Sequence, residues 1–223
     1  MNLSDLQPEI PQALFSVLHA RGIHELRPGQ EKAIKAGLLH GKNILVCTPT
    51  ASGKTLISEL AFVSNILTRK GKAIYIVPLK ALATDKFRDF KQKYDSQFRI
   101  SLSIGDLDNP EPHLKDSDLI ICTSEKLDSL IRHSVHWLRD VKTVVVDEVH
   151  LLNDPSRGPT LEILLTMLQK LLKGVQVIAL SATIGNPQEL AEWLNAALVV
   201  DEWRPVKLRK GIYFQGNVEF FED

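Results

Sequence analysis

The stretch at residues 43–55, NILVCTPTASGKT, joins a short apolar run to a loop of small residues ending in Gly53-Lys54-Thr55. Ile44, Leu45 and Val46 leave no polar position, so residues 43–47 read as a strand covered on both faces. Beyond the loop, Leu56, Ile57, Leu60, Val63 and Leu67 recur at helical spacing and predict a helix over residues 54–69. Strand, small-residue turn and helix in that order make a cradle for an anion. Successive backbone N–H groups curl around a phosphate, at a helix end that carries partial positive charge. In such a loop Thr50, Ala51, Ser52 and Gly53 line the phosphates, Lys54 reaches the outer ones, and the Thr55 hydroxyl ligates Mg²⁺. Position 48 is Thr where the usual pattern has Gly, so the match is carried by Gly-Lys-Thr and its strand–helix setting. The plainer alternative is an ordinary strand–helix turn whose lysine happens to follow glycine.

The same rhythm runs outward from this stretch. Further strands are predicted at residues 73–77, 99–104, 119–122, 143–146 and 176–180, all rich in Val and Ile. Helices are predicted at 28–39, 79–94, 125–133, 160–172 and 188–196, with the first stopping at Gly41. Alternating strands and helices imply an α/β fold: a mostly parallel sheet with right-handed crossovers and helices on both faces, three layers deep. Residues 1–25 form an N-terminal helical extension in this reading. The tail from Val199 breaks the rhythm, with extended pieces at 205–210 and 211–214, so residues 1–200 are expected to be one domain and 201–223 its exit. The 223 residues carry 27 Lys or Arg against 27 Asp or Glu, so no overall field draws the chain to a polyanion. The start, MNLSDLQPEI, lacks a basic, apolar signal sequence, and no apolar run approaches the ~20 residues needed to span a bilayer. With only Cys47 and Cys122, both at ends of apolar strands, an intracellular, cytoplasmic protein is expected.

A second chemical signal lies at Val144-Val145-Val146-Asp147-Glu148-Val149-His150. Two acids appear where a buried β-branched strand should end, and carboxylates beside an apolar core are costly without a cation. A nucleotide-held Mg²⁺ would supply one. Asp147 then takes the metal, directly or through water, and Glu148 orients or deprotonates an attacking water. Two solvated acids in a loop are the alternative.

The string Asp-Glu-Val-His at 147–150, followed by Ser181-Ala182-Thr183 after a strand, resembles the DExH helicases of superfamily 2. The resemblance runs from about Leu26 to the exit segment. The wording at 123–130, 147–152 and 181–187 is most similar to the archaeal Ski-type, Holliday-junction-migration DNA helicases, related to the helicase part of polymerase theta. It implies a RecA-like ATP-binding domain with ATP and Mg²⁺ as cofactors. Members are 3′-to-5′ helicases at stalled or branched forks. His150 would sense the γ-phosphate side of the cleft, and Ser181, Ala182 and Thr183 would couple nucleotide state to motion of a second domain. Arg27 and Gln30 fall in the segment that reads adenine, Gln30 having both a donor and an acceptor to offer. Pro78, Leu79 and Lys80, then Thr123, Ser124 and Lys126, then Arg157 and Gly158 fall in segments that grip a nucleic-acid backbone. Each has a plainer alternative: a helix start for Gln30, loop polars for Ser181 and Thr183, a helix cap for Ser124.

From Arg69 to Arg99 there are nine Lys or Arg against three Asp, and about a third of these cations are assigned to nucleic acid. The family's second RecA-like domain and its winged-helix and ratchet domains are absent from the sequence, so the chain reads as the first part of a two-part motor. It is expected to bind nucleotide, hydrolyse it slowly and not unwind. Partners are single-stranded and forked DNA, and the second motor domain in cis. Other readings are an RNA helicase of the same group, a small-molecule P-loop enzyme such as a kinase, and an interaction module that kept only the fold.

Overall fold

The computed structural model describes residues 1–105, 111–133, 136–207 and 209–221. Its elements in chain order are α1 (Gln12–Ala20), α2 (Pro28–Lys35), β1 (Ile44–Cys47), α3 (Lys54–Leu67), β2 (Lys72–Val77), α4 (Lys80–Tyr94), β3 (Ile100–Ser103), β4 (Leu119–Thr123), α5 (Ser124–Arg132), β5 (Val141–Val146), α6 (Gly158–Leu171), β6 (Gln176–Ser181), α7 (Pro187–Trp193), β7 (Ala197–Val200), β8 (Gly211–Phe214) and β9 (Asn217–Phe220). Strands β1 to β7 form one sheet in the order β3-β4-β2-β5-β6-β1-β7, and each pairing is parallel. The α/β reading holds.

Alternate residues of each strand enter different cores, as a period of two demands. Ile44, Val46, Tyr75, Val77, Ile121 and Leu180 pack with α1 to α4 on one face. Leu45, Cys47, Ile74, Ile76, Cys122, Val146 and Ala179 pack with α5 to α7 on the other. Both faces are therefore dry, which explains why the strands read as unbroken apolar runs. Among the described residues, no helix is long and apolar enough to cross a membrane.

Three elements depart from expectation. Helix α2 ends at Lys35, because Gly37 turns left-handed at φ 103° and a short 3-10 turn, Leu38–His40, follows. The predicted stop at Gly41 is thus one turn late. A seventh strand, β7, lies beside β1 where the sequence reading ran a helix to residue 196 and began the exit at 199. In the tail, the extended piece expected at 211–214 is present as β8, and the unexpected part is β9, paired with it in an antiparallel hairpin whose side chains are exposed. Of the extended piece predicted at 205–210, position 208 lies outside the described residues. The N-terminal stretch contributes a 3-10 turn, Leu3–Leu6, and α1, both sealed onto the first core by Leu3, Leu6, Leu14 and Leu18.

Candidate nucleotide and nucleic-acid site

The carboxyl ends of β4, β2, β5, β6 and β1 stand side by side in that order. They carry, in turn, Thr123-Ser124, Pro78-Leu79-Lys80, Asp147-Glu148, Ser181-Ala182-Thr183 and the loop from Thr48. Every motif singled out from the sequence except the Arg27–Gln30 and Arg157–Gly158 segments leaves the sheet on this one edge. Neighbouring strands are about 4.8 Å apart, so β1 and β5 bring the loop and the two acids within roughly 10 Å. In an open parallel sheet this is the edge where ligands bind.

The loop is tightly braced. Thr48 N–H donates to Ser181 O at 3.3 Å, tying it to the adjacent strand. The hydroxyls of Thr48 and Ser52 are 2.7 Å apart. Gly53 adopts φ 94° at the start of α3, and a Cβ there would lie 2.5 Å from Gln30 Nε2, so only glycine fits. Ala51 is also left-handed, at φ 65°. Lys54 Nζ points into the loop and donates to the carbonyls of Thr48 (2.9 Å) and Pro49 (3.3 Å). Burial lowers its pKa, against the pull of Glu148 and Asp147.

Gln30 is buried and both ends of its amide are engaged. Oε1 accepts from Arg27 N–H at 2.9 Å and Nε2 donates to Gly53 O at 3.1 Å. Arg27 donates to Ala51 O at 2.7 Å. These two residues brace the loop, and each Gln30 polar atom has capacity for one more bond. Beside them a cavity of about 630 Å³ is lined by Ile23, Arg27, Gln30, Gly53, Thr55 and Leu56.

Two residues that sequence reading passed over complete the site. Lys86, on α4, donates to Thr55 Oγ1 at 2.8 Å and pairs with Asp147 Oδ2 at 3.2 Å. Tyr75, buried in β2, donates its hydroxyl to the same Asp147 oxygen at 2.9 Å. Burial, then the Asp147 charge and this bond, push the Tyr75 phenol well above its ordinary range, so it remains a donor. The signals existed: Lys86 lies on the inward stripe with Ala83 and Phe90, and a tyrosine in a dry strand needs a partner for its hydroxyl. Thr55 and Asp147, far apart in sequence, thus converge on a single cation. Two hard oxygen donors gathered this way suit Mg²⁺, and the loop's geometry suits a phosphate chain.

Glu148 follows in a left-handed conformation, φ 57°, which costs about 1–2 kcal/mol for a residue with a Cβ. His150 Nδ1 lies 3.4 Å from Glu148 Oε2. Ser181 is buried at the end of β6, Ala182 is half-buried and Thr183 is exposed.

The nucleic-acid candidates divide. Leu79 and Lys80 are exposed, while Pro78, Ser124, Arg157 and Glu148 line one narrow cleft. Lys126, by contrast, is 1% exposed and pairs with Glu111 at 3.4 Å, so it is not on the gripping surface. Its side chain points inward because the first turn of α5 packs against the sheet. Thr123, rather than Ser124, caps α5: its Oγ1 accepts from Lys126 N–H at 3.4 Å. Helix α6 starts at Gly158 rather than near Thr160, and Gly158 is buried where a Cβ would stand 2.1 Å from Leu152 O. Its glycine serves close packing against the turn after the acids. Within the basic run, Lys72, Lys86 and Lys93 are engaged with the protein's own oxygens, leaving fewer cations for a ligand.

This sheet order, with a phosphate-type loop, an acid pair and a Ser-Ala-Thr segment on adjoining strand ends, defines a RecA-like α/β domain. The family pattern of the DEAD/DEAH box helicases matches residues 27–190, and the chain belongs to that family. More particularly, it is similar to the ATP-dependent DNA helicase Hel308 of Pyrococcus abyssi, 51% identical over 96% of this chain and 29% of that protein. Hel308 of Methanocaldococcus jannaschii is 57% identical over 93% of this chain and 18% of that protein. The chain spans less than a third of the length of these relatives. Among solved structures, the helicase MrfA bound to DNA and AMPPNP superimposes with a TM-score of 0.73 at 27% identity, covering 86% of this chain and 29% of that one.

Proposed function

We propose that this chain is the first, ATP-binding motor domain of an ATP-dependent 3′-to-5′ DNA helicase acting at stalled or branched forks. The observation that carries the reading is the convergence of Thr55 and Asp147 on one cation position beside Lys54. The curated relatives are named as ATP-dependent DNA helicases, and the MrfA neighbour holds DNA and a nucleotide analogue, which supports the same class.

In this reading the loop N–H groups and Lys54 hold the phosphates, and Thr55 and Asp147 hold Mg²⁺, which would neutralise charge on the transferring phosphoryl group. Lys54 must exchange its bonds to Thr48 O and Pro49 O for phosphate oxygens. Glu148 orients water and takes its proton. The cavity bounded by Arg27 and Gln30 receives the adenine, and Gln30 reads it with the capacity left on its amide. Ser181 is bonded through its carbonyl to the loop, so the Ser-Ala-Thr segment feels the loop's movement directly. Leu79, Lys80 and Arg157 grip the strand backbone, whereas Ser124, 5% exposed, is withdrawn from it like Lys126. Residues 1–200 form the ATP-binding unit and 201–223 lead towards a second RecA-like domain. Arginines from that domain would add about 10³–10⁵ in rate, so the chain alone hydrolyses slowly and does not unwind.

The test is binding of a fluorescent ATP analogue, with Mg²⁺, to the 223-residue chain. Lys54→Ala should weaken it about 10–100-fold through loss of a charged contact. Unchanged affinity would remove Lys54 from the phosphate site. Strand-stimulated turnover by the isolated chain at helicase-like rates would refute the need for a second domain. Matched DNA and RNA forks, compared at one stated salt, decide the nucleic acid.

A further inference from the structure

We infer that Lys86 is a built-in stand-in for the divalent cation: its ammonium and Mg²⁺ compete for the same pair of oxygens, Thr55 Oγ1 and Asp147 Oδ2. The inference deepens the nucleotide reading above and rests on it. Lys86 Nζ lies 2.8 Å from one oxygen and 3.2 Å from the other. Mg²⁺ would take them at about 2.0–2.1 Å or through its water shell, and both occupants cannot share that space. The contact is not a chance surface pair. Lys86 is half-buried, on the sheet-facing side of α4, with its ammonium 5.4 Å from the centre of the Tyr75 ring. Tyr75 fixes the Asp147 oxygen from the other side at 2.9 Å. Two groups, Lys86 from α4 and Tyr75 from β2, therefore fix the Asp147 oxygen, and Lys86 ties it to Thr55 of α3, by protein contacts alone.

The neighbours favour the exchange. Lys54 is close enough to Lys86 for the two charges to oppose each other. A metal arriving with the nucleotide takes the space between the two oxygens, so Lys86 must swing off the carboxylate, towards the incoming phosphates or solvent. Lys86 lies six residues, about 9 Å along the helix, from Lys80 at the exposed start of α4. Release of Lys86 by the metal-bound nucleotide thus removes one contact of the helix whose exposed first residue, Lys80, is a nucleic-acid candidate. Lys86 is a positioning residue in this scheme, acting through Thr55 and Asp147.

The experiment compares wild type, Lys86→Met and Lys86→Arg, titrating Mg²⁺ at fixed non-hydrolysable fluorescent ATP analogue. With its competitor removed, Lys86→Met should reach half-saturation at about tenfold lower Mg²⁺, while Lys86→Arg stays near wild type. In a second arm without nucleotide, millimolar Mg²⁺ should raise the melting temperature of Lys86→Met and leave that of wild type unchanged. An unaltered or higher Mg²⁺ requirement in Lys86→Met, or no melting response, overturns the inference. If wild type binds no analogue at any Mg²⁺ level, the nucleotide reading fails, and the melting arm still decides the competition. Should Lys86→Met not fold, ammonium-detected NMR of wild type decides. A protected Lys86 signal must be lost on adding Mg²⁺ and analogue, and its persistence refutes the exchange.

Discussion

Gly53 concentrates two demands in one position: a left-handed backbone at φ 94°, and a Cβ vector aimed at Gln30 Nε2 from 2.5 Å. Gly53→Ala should cost about 1–3 kcal/mol in unfolding free energy and weaken nucleotide binding, since the loop must open to relieve the clash. Chemical denaturation and analogue binding check both, and a neutral substitution would mean the loop is softer than its bonds imply. Glu148→Gln, placed in a chain that carries the proposed second domain, should keep nucleotide affinity and lose turnover by at least about 100-fold, as loss of a general base predicts. Normal turnover would reassign the water-activating role. At this scale the placement of Lys54, Thr55, Asp147 and Glu148 at neighbouring strand ends was legible, because small-residue and acidic breaks end the apolar runs. It was misleading at Lys126, where a lysine beside hydroxyls suggests a phosphate grip but the helix face turns it inward to Glu111. Lys86 and Tyr75 went unread because their meaning depends on which residue lies across the sheet, and strand order is not written in any one segment.

Among the elements, α1, α3 and α4 are joined by a single acid. Glu59 is 1% exposed and contacts Arg21 Nη1 at 2.8 Å, Lys93 Nζ at 3.1 Å and Tyr94 Oη at 2.7 Å. Glu59→Ala leaves the buried Tyr94 hydroxyl without its acceptor and Lys93 with Asp89 alone, and should cost about 1–3 kcal/mol. Urea unfolding checks this, and a loss under about 1 kcal/mol would show the cluster to be ornamental. The tail is fastened to α2 through Asp201, which pairs with Lys32 at 2.8 Å and accepts from Trp203 N–H at 2.7 Å. Burial would raise the Asp201 pKa, but the Lys32 and Trp203 bonds outweigh it and hold it below the ordinary 3.8. A carboxylate lowered in the fold contributes stability that is complete above 3.8 and lost as pH falls through its folded value. Below about pH 4 the tail should therefore loosen, taking Trp203 off Arg27, 5.2 Å from its ring. Tryptophan emission, compared with Trp203→Phe, should shift in that acid range and not between pH 5 and 8. Most strands and helices were legible because burial on both faces writes apolar runs and helical stripes. β7 was not, since four residues at an edge carry too little pattern, and α2 closed early because Gly37, not Gly41, makes the left-handed break.

Across the whole molecule, the core on the α5–α7 face seals both thiols. Burial pushes the Cys122 thiol up to about 12 and raises that of Cys47 as well. Alkylation by iodoacetamide at neutral pH should thus be negligible in the native protein and rapid in denaturant, making thiol labelling a readout of global opening. Fast labelling of Cys47 alone in native protein would instead report local opening beneath the phosphate loop. The order of strand ends also separates duties along one edge, nucleotide at β1 and nucleic-acid candidates at β2 and β4, with the acids and the Ser-Ala-Thr segment between them. The last sheet strand, β7, has a less obvious duty: it covers the flank of β1, whose row of amide hydrogens and carbonyls would otherwise be unpaired. A version trimmed ahead of Ala197 would expose that row directly under the phosphate loop, and such a bare rim recruits other chains into intermolecular ladders. Shortened forms of this protein should therefore clump before they lose their fold.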